Sequence, residues 1–120
     1  MNKMVVTALI LLTVSVGLGI WLGIAGAPYN TALQTVHKLS SVGFSVLCVI
    51  FFISETRKTG MATGDIVLAA VFVISLVVLL ATGAITSGKQ EVPALLRIAH
   101  TASAILIAVG SGWKLIAALA

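Results

Sequence analysis

The chain has 120 residues, 60% of them hydrophobic and only 8% charged, with a net charge of +4. Soluble domains carry roughly 25% charged residues, so the composition excludes a water-soluble domain and leaves too little chain for a separate catalytic one. The basic residues are scattered among apolar segments, which argues against nucleic-acid binding and for contact with lipid headgroups.

Four apolar runs of the length a bilayer-crossing helix needs, about 20 residues, follow one another at residues 4–27, 31–54, 65–84 and 93–119. They are continuous, whereas the strands of membrane barrels alternate. The expected fold is therefore all-α: one membrane-spanning four-helix domain over residues 1–120. The first run has a basic "MNK" start and an "AGA" before Pro28, as a secretory signal would. It is longer than a signal's apolar region of about 7–15 residues, so it reads as a retained helix. Within it Gly19 and Gly23 are spaced for close helix packing.

The turn at residues 26–31 ends the first helix at Pro28 and offers Asn30 as N-cap of the second. Residues 54–65 read as the longest polar connection, with Asp65 placed to cap the third helix. Residues 86–93 join the last two helices, and Pro93 suits a first helical turn, where its missing N–H is not needed. Short connections favour antiparallel neighbours, hence an up-down-up-down bundle. With both termini cytoplasmic, the inner side carries Lys3, Arg57, Lys58 and Lys114, against Lys89 and the helix-borne Lys38 and Arg97 outside. The positive-inside bias supports this orientation by four to three. A prokaryotic plasma membrane is the expected location. Cys48 has no partner in the chain and reads as a small apolar residue.

A short repeat runs through the even helices: "ALQTVHKLSS" around His37 and "ALLRIAHTAS" around His100 align with one gap. Each follows a glycine-bearing helix, with Gly23 fourteen residues before His37 and Gly83 seventeen before His100. A duplicated two-helix unit explains this, and it makes helices two and four parallel. The two histidines, the only ones present, then lie about 10 Å into their helices from the same face.

Ionisable residues inside membrane helices are costly and mark functional sites. Two imidazoles at one depth on diagonal helices can hold a metal from both sides, as haem iron is held. Zinc wants three or four ligands, and no acidic residue lies at that depth. Small and hydroxyl residues share the faces, Ser41, Ser45 and Cys48 with His37, and Ser103 and Ser111 with His100. Lys38 and Arg97 stand near the outer surface, where haem propionates could meet them, although such cations also snorkel to headgroups. The serines can instead bond their own helix carbonyls, and interhelical bonding or a proton or substrate site are the other readings of the histidines.

Gly23 and Gly83 on odd helices, with His37 and His100 early on even helices, resemble the repeated unit of membrane-bound b-type cytochromes. The resemblance implies a helical bundle that holds haem b by histidines from different helices. Many members of that family hold two haems and need four histidines; this chain has two, which excludes a second bis-histidine haem.

The expectation is thus one haem b near the outer face, ligated by His37 and His100, with Arg97, Lys38, Ser41 and Gly23 around it. Two axial histidines leave no open iron position, so the chemistry is one-electron transfer with a quinone or an outer-face redox protein, within a lipid bilayer. Whether the chain is an enzyme or a relay, and whether it forms a homo-oligomer, is open. The alternatives are a small transporter or channel subunit and a haem-free scaffold. The first lacks the embedded acidic residue that small exporters use, since Glu55, Asp65 and Glu91 fall in or beside loops.

Overall fold

A computed structural model describes residues 2–120. Four helices follow in order: α1 (Lys3–Ala25), α2 (Thr31–Thr59), α3 (Thr63–Thr86) and α4 (Ala94–Ala117), with no strand among the described residues. All four are long and apolar enough to cross a membrane. The 47 Å long axis matches a bilayer of about 40–45 Å including headgroups. The chain is an integral membrane protein with its termini at one end of the bundle.

Helix ends are set by local chemistry. The Asn30 side chain accepts the Leu33 N–H at 3.1 Å, as expected of an N-cap. The Asp65 carboxylate accepts the Ala62 N–H at 3.1 Å at the start of α3. The Pro93 carbonyl accepts from Leu96 and Arg97 at the start of α4. α1 and α2 stop at Gly26 and Gly60, both at positive φ (76° and 77°), a conformation other residues adopt only at a cost.

One boundary departs from the sequence reading. α2 runs five residues beyond Ser54, through Glu55, Thr56, Arg57, Lys58 and Thr59, so the polar connection shrinks to residues 60–62. Charge alone does not end a helix. Lys58 pairs with Glu55 at 3.0 Å one turn away, and two cations at a helix C-terminus complement its dipole.

α1 packs along α2, α3 along α4, and α1 also touches α4. Val5 and Ala8 of α1, Phe44, Cys48 and Phe51 of α2, and Ile107 and Leu115 of α4 form the buried core. These residues occupy the middle of the bundle and the half that carries the termini. Outward-facing apolar residues, such as Ile24 and Leu95, are largely exposed, as lipid contact requires. Several helix hydroxyls donate to carbonyls three or four residues back, for example Ser45 to Ser41 and Thr86 to Thr82, which satisfies those donors within the apolar layer.

Candidate functional site

The end of the bundle away from the termini holds the histidines. His37 is the seventh residue of α2 and His100 the seventh of α4, so the two parallel helices present them at equal depth. Their ring centroids are 6.3 Å apart and their planes are tilted by 53°. Both side chains are half-buried.

Each ring is tied to the odd helix of its own hairpin. His37 Nδ1–H donates to the Ser15 carbonyl of α1 at 2.9 Å. His100 Nδ1 lies 2.8 Å from Thr82 Oγ1 of α3. Around His37 the bonding closes into a loop. The Ser41 hydroxyl donates to the His37 carbonyl at 2.6 Å, and the Ser15 hydroxyl reaches Ser41 Oγ at 2.5 Å. Ser41 therefore braces the backbone that carries His37, and Ser40 also donates to that carbonyl at 3.0 Å.

A glycine faces each ring, and only the one beside His37 is tightly apposed. A β-carbon at Gly19 would lie 3.0 Å from His37 Cε1, and one at Gly83 would lie 3.6 Å from His100 Cε1. The sequence reading set Gly23 among the residues around the haem. Gly23 lies one turn farther along α1, exposed, with nothing within 4 Å of a β-carbon built on it. The missed signal is spacing: Gly19 precedes His37 by eighteen residues, close to the seventeen between Gly83 and His100.

The cations stand near the rim of the bundle, at the end away from the termini. Lys38 is exposed and its Nζ donates to Ser87 Oγ at 2.6 Å, linking α2 to the residue after α3. Arg97, also exposed, lies one turn nearer the helix start than His100. The acidic residues are elsewhere. Asp65 pairs with Lys114 at 3.0 Å at the terminal end of the bundle, and Glu55 pairs with Lys58.

The pair can act as a two-point ligand. Among the described residues neither Nε2 has a hydrogen-bond partner, and no fully buried side-chain nitrogen or oxygen lacks one. Each Nε2 thus reaches accessible space with its bonding capacity unused. No group of three or more His, Cys, Asp or Glu side chains that could hold a metal ion occurs among the described residues, which leaves the two imidazoles as the whole donor set. Comparison with protein families, curated proteins and solved structures gives no match to this chain.

Proposed function

We propose that the protein is a one-haem b-type membrane cytochrome, with His37 and His100 as axial ligands. The observation that carries this reading is the 6.3 Å between ring centroids. An imidazole nitrogen sits about 2 Å from a metal it binds. In a five-membered ring with bonds of about 1.33 Å each atom is about 1.1 Å from the centre. Two imidazoles in line on opposite sides of one ion therefore have centres roughly 6.2 Å apart.

The donor set fits the same group. Two imidazoles with no third protein ligand suit haem, whose macrocycle supplies the remaining four nitrogens, and do not suit zinc. When bound, the haem supplies a one-electron couple. The chain's own residues would hold it by His37 and His100, keep the rings in place through Ser15, Ser41 and Thr82, and present no side chain at Gly19 beside His37. Lys38 and Arg97 offer cations to the propionates at the outer rim. Electrons pass to or from a quinone in the membrane or a redox protein at that face. With the basic residues favouring cytoplasmic termini, the haem lies in the outer half of a prokaryotic plasma membrane.

A haem-free scaffold is the second reading, favoured by one fact: each Nδ1 already joins two helices, which alone would justify a histidine there. Purification from haem-replete cells separates the two. The cytochrome has a Soret band and sharp α and β bands on reduction, and His37→Ala and His100→Ala each abolish them. A colourless protein overturns the reading in favour of the scaffold.

A further inference from the structure

The two histidines are held by different devices. The Ser15 carbonyl can only accept a hydrogen bond, so it fixes the proton of His37 on Nδ1 and leaves the lone pair on Nε2. Thr82 could in principle donate or accept. Its hydroxyl proton is already engaged, since Oγ1 donates to the Val78 carbonyl at 2.7 Å and leans to Leu79 at 3.2 Å. Its oxygen is therefore the acceptor of a bond from His100 Nδ1–H at 2.8 Å. Both rings end in the same tautomer, and each exposes an unprotonated Nε2 on the accessible side.

We infer that Thr82 is the positioning residue that sets the tautomer and basicity of His100, as the Ser15 carbonyl does for His37, so that the pair is prepared for ligation before any metal arrives. The redox part of this inference rests on the cytochrome reading; the tautomer part does not. A ligating imidazole that donates its other N–H to an oxygen is more electron-rich and better stabilises an oxidised metal. A carbonyl locks that arrangement, whereas a hydroxyl can be removed by one substitution of nearly equal shape. Thr82 is thus the point at which one substitution of nearly equal shape removes the acceptor of His100 Nδ1–H. Thr82 itself is buried, at 5% exposure.

The experiment uses the full chain in detergent micelles, produced without added haem and labelled with 15N at histidine. Long-range 15N–1H correlation reads which ring nitrogen carries the proton. Both histidines are expected as Nδ1–H. Thr82→Val is expected to move His100 toward the Nε2–H form and leave His37 unchanged, and Thr82→Ser to restore the original pattern. In the haem-loaded protein Thr82→Val raises the midpoint potential and Thr82→Ser returns it. Wild-type His100 found mainly as Nε2–H, or a Thr82→Val protein with unaltered tautomer or potential, overturns the inference. If Thr82→Val fails to fold, Thr82→Ala supplies the hydroxyl-free protein, and an unaltered His100 tautomer in it overturns the inference. A chain that never takes up haem but shows the expected tautomers refutes the cytochrome reading and leaves the assignment of Thr82 intact.

Discussion

Gly19 and His37 are in such close contact that a single added carbon at Gly19 would meet the ring Cε1 at 3.0 Å, while the same change at Gly83 would stop 3.6 Å short of His100. The first distance forces a displacement and the second is ordinary van der Waals contact. Gly19→Ala should therefore shift the His37 ring and, if the chain is a cytochrome, lower its haem content. Overpacking of this kind costs about 1–3 kcal/mol. Gly83→Ala should be near neutral. Haem-to-protein ratio and unfolding midpoints of the two variants, compared side by side, check the asymmetry.

The Ser15–Ser41 bond joins α1 to α2 where lipid surrounds both helices. Interhelical hydrogen bonds in membranes average about 0.6 kcal/mol by double-mutant cycles. The coupling between Ser15→Ala and Ser41→Ala should fall in that range. Each single variant keeps the His37–Ser15 bond, because that bond uses the Ser15 backbone. Reversible unfolding in mixed micelles gives the cycle, and a coupling near zero would show that the two hydroxyls are independent.

Leu115, at 1% exposure, and Ile24, at 82%, test what packs this bundle. Lipid chains are as apolar as a leucine side chain, so burial from lipid brings no solvent-driven gain and packing itself must hold the helices. Leu115→Ala should cost about 1–3 kcal/mol, the cavity part of a soluble-core truncation. Ile24→Ala should change stability within error. Equal losses at the two positions would contradict the packing seen at the terminal end.

The Asp65–Lys114 pair ties the start of α3 to the end of α4, with 47% of the lysine side chain exposed. Exposed pairs are screened by salt. Lys114→Met should lower the thermal midpoint slightly at low ionic strength, and the difference should vanish at about 1 M salt, where the screening length is about 3 Å. The histidine pair, at the other end of the bundle, should keep its spectrum throughout.

His37 and His100 should fail together. A two-point site has no half-bound form of comparable strength, so His37→Ala, His100→Ala and the double variant should bind equally little haem. Haem titration of the three proteins tests this; an intermediate affinity in either single variant would mean that a third ligand takes part.

Much of the architecture was legible from residue type. Uninterrupted apolar runs of bilayer length marked the four helices, and Asn30 and Asp65 announced two helix starts by the chemistry of their side chains. The helix over residues 55–59 was hidden because charged residues read as connection, although they are sound helix formers and only Gly60 breaks the run. Matching depth brought His37 and His100 together from sequence alone, and their rings stand 6.3 Å apart. The glycine beside His37 was misplaced by one turn, because helix–helix register depends on the turn at residues 26–30 and neither glycine differs in composition from the other. The Ser15 carbonyl could not have been found at all: every residue has one, and only the fold selects which faces an imidazole.

The hairpin pattern of contacts bears on how the protein comes into being. α1 holds α2 and α3 holds α4, and each hairpin orients its own histidine through its own partner helix. Each half thus carries its own histidine together with that histidine's hydrogen-bond partner, and the pair forms where the halves meet. The segment between α3 and α4 belongs to one half. The joint between the halves is the short turn at residues 60–62, which acts only as a tether. Two separately translated hairpins should therefore find each other and rebuild the pair, as two gene products could have done before a fusion joined them.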